Sequence, residues 1–255
     1  MRHKRDLIAL IFFPIFATVV SLIFKTNLLI STLLFFGLPS VYLSLKIKKS
    51  IRKTFIFSIL SSIPLGILID YFAEKDGSWL IVDSVFPYRI FGLITIDGLI
   101  WLFFMVYFIV IFYEYFLDKK GRENINRKFK IFEIALSSFL IILVVSHSFF
   151  NELAIPYFYL ILGILLMLLP VLLYLKNKPN FISRYSKVAF YFIYVFLLNE
   201  LTGLQLNHWT FPGENFIGWV SILNYSIPFE EFLFWIGLCS VSVIIHYEYF
   251  ADDEK

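Results

Sequence analysis

Five carboxylates stand inside or at the ends of long apolar runs: Asp70, Asp97, Glu200, Glu230 and Glu231. An acid at the centre of a membrane-crossing helix costs about 2.5–3.5 kcal/mol on insertion scales, so it faces the bundle interior or water and usually has a task. Carboxylates crowded into a dry site cannot all ionise, because desolvation and like-charge repulsion both favour the protonated form. At least one of the five is therefore expected to act as a Brønsted acid near neutral pH. No Lys or Arg lies within a span at their depth, since Arg89 is at the mouth. Glu230 and Glu231 are adjacent, so on a helix they point about 100° apart and only one can face a common pocket. Pro228, two residues earlier, removes a backbone donor and loosens the turn that presents them. The residues alone leave three readings open: interhelical hydrogen-bond glue, proton-coupled transport, and catalysis.

Other chemistries lack their residues. The eleven glycines never occur as GxG, so neither a dinucleotide fingerprint nor a Walker A loop is present. There is no GxSxG elbow and no HExxH spacing, and the single cysteine, Cys239, excludes a disulfide framework and a Cys-based zinc site. The nearest text to an NDxxD diphosphate-binding motif, residues 199–203, carries one acid. No metal and no cofactor are expected. His208, beside Trp209 in a loop at the carboxylate end, is placed to contact the site or relay protons. His147 reads as a hydrogen-bonded helix residue and His246 as an interfacial one. The chain holds 32 Phe, 15 Tyr and 5 Trp. Aromatic faces stabilise a desolvated cation by about 2 kcal/mol, but most of these Phe residues are expected simply to face lipid. Trp101, Trp209 and Trp235 stand out as candidate substrate contacts.

The elements that position these groups follow from composition. Of 255 residues, 60% are apolar and 16% charged, against about 25% charged in a soluble domain. The expectation is an all-α polytopic membrane helical bundle in a cell membrane. Eight apolar runs approach the roughly 20 residues that span hydrocarbon: 7–24, 28–45, 54–72, 89–117, 131–150, 157–175, 188–204 and 218–250. The fourth and eighth are longer than a span needs, which implies an interfacial turn or a tilt. Segments 1–6, 46–53, 118–130 and 176–187, with the C-terminal tail, hold 19 of the 22 basic residues. The positive-inside rule then places both termini in the cytoplasm and explains the basic runs without a nucleic-acid partner.

The chain also repeats itself. YEYFLD (113–118) recurs as YEYFAD (247–252), and at the same shift of 134 Trp101 meets Trp235 and Asp97 meets Glu231. A shift of 130 brings Asp70 onto Glu200 and Trp79 onto Trp209. Each unit is four helices, an even number of crossings, so the two copies (1–125 and 126–255) should be tandem, parallel four-helix repeats about an axis along the membrane normal. Glu114 and Glu248 then fall at the cytoplasmic rim, where they read as interfacial anchors flanked by tyrosines.

The order Glu200, Trp209, Gly218, Pro228-Phe229-Glu230-Glu231, then Phe and Trp, and finally Tyr247-Glu248 resembles the integral-membrane lycopene cyclases. These are the flavin-free type, heterodimeric or fused, which agrees with the repeat. The first half carries Ile94-Thr95-Ile96-Asp97 where the second carries the proline and paired acids, a degenerate motif that puts its catalytic part in question. The resemblance implies redox-neutral carotenoid biosynthesis. A carboxylic acid protonates the terminal double bond of a lycopene ψ-end, an internal alkene attacks the cation, and loss of a ring proton leaves a cyclic end. It implies Glu230 and Glu231 as acid and partner, with Asp97, Asp70 and Glu200 tuning them or taking the proton back. Trp209, Trp235, Trp101, Pro228 and His208 would line the substrate site. The implied partner is a lipid-soluble polyene entering from the bilayer; a homo-oligomer or association with other carotenoid-pathway enzymes is compatible with this reading. Alternatives are an enzyme on another isoprenoid or a C50 carotenoid, a proton-coupled carrier, and a non-enzymatic scaffold subunit.

Overall fold

The computed structural model describes residues 2–118, 127–150 and 155–251. Its helices are α1 (Arg2–Phe24), α2 (Leu28–Ser44), α3 (Ile51–Asp76), α4 (Ile96–Phe116), α5 (Arg127–Phe150), α6 (Phe158–Asn177), α7 (Ile182–Gln205) and α8 (Glu231–Ala251). Among the described residues six are long and apolar enough to cross a membrane: α1, α3, α4, α6, α7 and α8. Helix α2 and the apolar stretch Ser137–Phe149 of α5 are shorter. The chain is an integral-membrane helical bundle, with α4 packed at its centre against α3, α2 and α8.

The two overlong apolar runs are not continuous helices. Each opens with an antiparallel β-hairpin, for which β-branched residues are suited. Strand β1 (Leu80–Ile81) precedes the first hairpin, β2 (Arg89–Ile90) with β3 (Ile94–Thr95). Strand β4 (Trp209–Thr210) precedes the second, β5 (Trp219–Ile222) with β6 (Tyr225–Pro228). The two halves are joined here, because β1 pairs antiparallel with β4, Leu80 opposite Thr210 and Ile81 opposite Trp209. Helix α3 is stopped by Gly77 at φ +72°, with Ser78 N–H donating to the Ala73 carbonyl at 2.8 Å. That left-handed position favours glycine.

Prolines shape the bundle. A proline inside a helix leaves the carbonyl four residues earlier without its donor, and hydrocarbon supplies no water to replace it. Pro14 frees the Leu10 carbonyl, which accepts from Tyr191 Oη of α7 at 3.1 Å. Pro64 frees Leu60, which accepts from Ser137 Oγ of α5 at 3.1 Å. Pro170 frees Leu166, which accepts from Ser242 Oγ of α8 at 2.7 Å. Helices α2 and α6 also widen into π-turns, Leu33–Gly37 and Ile164–Leu168, immediately before Pro39 and Pro170. A π-turn makes room for the proline ring.

At the basic end Glu114 lies inside the bundle, whereas Glu248 is half-buried. Glu114 is buried; it takes Lys53 Nζ at 2.8 Å, Ser50 Oγ at 2.6 Å and the Tyr247 hydroxyl. The Tyr113 hydroxyl donates reciprocally to Glu248, and Arg184 Nη1 donates to Tyr113 Oη at 3.0 Å. Glu114 remains inside because Ser50, Lys53 and Tyr247 of α8 supply donors to it.

Tyr191→Phe is expected to lower the unfolding free energy in detergent by about 1 kcal/mol. In a Pro14→Ala background the same change is expected to cost far less, because the Leu10 carbonyl regains its own helix. Thermal melts of the double-mutant cycle measure the difference.

Candidate functional site

The carboxylate end of the bundle is built by the first turns of α4 and α8, the last turns of α3 and α7, and the three short sheets. Helix α4 starts at Ile96 with Thr95 as its cap, the Thr95 hydroxyl accepting from Gly98 N–H at 3.1 Å. Helical backbone in the second half starts at Phe229 and passes into a π-turn over Glu231–Leu238.

The five sequence-selected acids take three different positions. Asp97 and Glu230 are each the second helical residue after a hairpin, and both clamp a loop. Asp97 Oδ2 accepts from Val85 N–H at 2.8 Å, and Glu230 Oε1 accepts from Ile217 N–H at 2.7 Å. Asp97 and Glu230 thus make the same kind of bond, one residue away from the shift of 134 that would match Asp97 with Glu231. Glu231 opens a π-turn, and Gly98 borders the same space as Glu231.

Glu231 and Glu200 form the second arrangement. Both are buried, and together they line two small spaces of about 20 and 10 Å³ that also share Trp101. Glu231 Oε2 accepts from the Tyr159 hydroxyl at the start of α6. Glu200 Oε1 accepts from Trp209 Nε1 at 2.9 Å. Four indoles wall these spaces: Trp101 lies 6.3 Å from Trp79, 6.5 Å from Trp209 and 6.1 Å from Trp235 between ring centroids, and Trp79 lies 6.0 Å from Trp235. Gly203 is required by this packing, since a Cβ there would meet the Trp209 ring at 2.3 Å.

Asp70 forms the third. It is buried against Gly98, where a Cβ would come within 2.9 Å of Asp70 Oδ2. It stands beside Trp79 as Glu200 stands beside Trp209, but without closing the bond. Its other neighbour is Glu74, which pairs with Arg89 at 3.5 Å. Asp70 thus borders the site through Gly98.

Two expected substrate contacts lie elsewhere. Pro228 ends β6 opposite Trp219. His208 reaches no carboxylate; its Nε2–H donates to the Thr26 carbonyl at 2.8 Å, and its ring lies 5.9 Å from Trp209. It fixes the loop that carries Trp209. His147 accepts from or donates to the Tyr71 hydroxyl at 3.1 Å, whereas His246 lies near the Leu166 carbonyl inside the bundle. Trp79 and Tyr159 are the site residues that the sequence reading did not single out. The repeat pointed to Trp79 through its match with Trp209; Tyr159, at the end of a span, carries only the signature of an interfacial aromatic.

Among the described residues no group of three His, Cys, Asp or Glu side chains is placed to hold a metal. Comparison with protein-family models, with curated proteins and with solved structures finds no match.

Burial holds the His208 imidazole below its ordinary pKa, outweighing the bond to Thr26. The neutral ring therefore favours the fold above the unfolded value of about 6.5. That contribution is lost as pH falls through the depressed folded value. The melting temperature is expected to drop between pH 7 and 5, and to drop less in His208→Gln.

Proposed function

We propose that the chain is an acid-catalysed cyclase of a long acyclic polyene, acting on the ψ-ends of lycopene as the sequence resemblance implies. The observation that carries this reading is that Glu231 and Glu200 both border the same two small spaces, whose walls between them include four indoles. Protonated Glu231, oriented by Tyr159, delivers its proton to the terminal alkene. The internal alkene attacks the resulting tertiary cation and closes the ring, and the new cation lies among the faces of Trp79, Trp101, Trp209 and Trp235. Glu200, oriented by the Trp209 N–H, takes the ring proton. One proton enters and one leaves, so the step is an isomerisation and needs no redox partner. Asp97 and Glu230 hold the loops over the site, and Asp70 supports Gly98.

The same reading includes eight spans, with α2 and α5 completing the crossings, and cytoplasmic termini set by the basic loops. It also includes two tandem parallel repeats. Support for the repeat comes from the reciprocal Tyr113–Glu248 and Tyr247–Glu114 bonds, the π-turns before Pro39 and Pro170, and the paired loop clamps.

The test is expression in a bacterium engineered to accumulate lycopene, with chromatography of the extracted pigments. Glu231→Gln is expected to reduce cyclised product on the order of 10²–10⁴-fold. Glu230→Gln, whose amide oxygen still accepts from Ile217 N–H, is expected to keep most activity. Unchanged lycopene with a well-inserted wild-type protein, or full activity in Glu231→Gln, would sink the reading.

A further inference from the structure

A second, larger cavity of about 180 Å³ begins at Trp235, the indole that also borders the carboxylates. It runs between α3, α4, α5, α6 and α8. On α8 it follows Trp235, Cys239, Ser242 and His246, one helix face about 16 Å long. On α3 it extends from Phe57 to Ile69, about 18 Å. A slot of this length covers roughly half of a 30 Å hydrocarbon core. Cavities near 150 Å³ lined by apolar side chains stay dry and take up hydrocarbons.

The polar residues in its wall do not alter this. Ser61 Oγ donates to the Phe57 carbonyl at 2.7 Å, Ser137 Oγ to Leu60 at 3.1 Å and Ser242 Oγ to Leu166 at 2.7 Å, and Ser62 bonds the Ser58 carbonyl. Each of these hydroxyls is turned into backbone; the other polar groups among the described lining residues are the His246 imidazole, whose Nε2 lies 3.4 Å from the Leu166 carbonyl, and the Trp235 indole N–H. The rest of the described wall is methylene, thiol and ring surface. A thin, extended hydrocarbon chain fits.

Among the described residues the matching stretches of the other two helices are packed with rings. Where α3 has Ser61 and Ser62 and α8 has Ser242 and His246, the corresponding stretches of α7 and α4 carry Tyr191, Phe192, Phe108 and Phe112. These rings fill the interior: Phe112 stacks on Tyr191 at 4.5 Å and 5°, and Phe108 meets Phe192 at 5.1 Å. Only an open groove remains there, on the outer face beside Leu7 and Phe190.

We propose that this slot seats the hydrocarbon tail behind the reacting end, and that the chain has one such seat. The proposal rests on the reading of the carboxylate site as one that works on a long polyene. A substrate end at Glu231 passes Trp235 and continues down the slot, so a two-ended polyene is handled one end at a time and must leave and re-enter to present the other.

The test uses the purified full chain in detergent with all-trans-lycopene as the probe and quenching of tryptophan fluorescence as the readout, Trp235 being the wall of the slot. Cys239→Phe fills the slot without breaking any of its hydrogen bonds, and Cys239→Leu does so more mildly should the larger ring impair folding. Saturable quenching is expected in wild type and in Glu231→Gln, with the apparent Kd raised at least tenfold in Cys239→Phe and several-fold in Cys239→Leu. Absence of saturable quenching in wild type, or equal binding by both Cys239 variants, overturns the seat. Saturable binding with no cyclised product from the pigment assay faults the acid chemistry and supports the seat.

Discussion

Hydrocarbon accepts no orphaned backbone group, and this requirement organises the bundle. Each of Pro14, Pro64 and Pro170 releases a carbonyl, and each carbonyl is taken by a hydroxyl from another helix. The prolines therefore select neighbours: α1 with α7, α3 with α5, and α6 with α8. Two of the three hydroxyls, on Ser137 and Ser242, also stand in the wall of the long cavity beside Trp235. The bonds that satisfy the freed carbonyls also turn these hydroxyls away from the cavity.

The basic end is held differently. Helices α4 and α8 run in the same direction and exchange tyrosine–glutamate bonds, with Lys53 and Arg184 neutralising the charge. Losing one member of such a buried set leaves an uncompensated charge, worth about 3–5 kcal/mol. With α4 and α8 fixed at that end, their opposite ends bring Trp101 and Trp235 to 6.1 Å, where the carboxylates lie. The site is thus framed from the far side of the bundle.

Much of the bundle was legible in the sequence because helix length and apolarity report directly on membrane crossing. The hairpins were hidden, since Ile90, Ile94, Val220 and Ile227 extend the apolar runs as well in strands as in a helix. The acids at Glu200 and Glu231 were visible by type and spacing. Their separation from Asp97 and Glu230 was not, because it depends on a π-turn that has no residue signature. Nor did the text reveal that Glu114 is interior: its donors Lys53 and Ser50 come from a distant helix and its turn.

Gly98 in the first turn of α4 and Glu231 at the start of α8 border the same space. One half of the molecule contributes the acid, with Tyr159, Glu200 and Trp209; the other contributes Gly98, Trp79 and Trp101. Neither end of the chain carries all of these walls. Cut between α4 and α5, the chain would yield two fragments that each hold only some of them. Covalent linkage fixes their stoichiometry at one to one and ties the fate of each to the other.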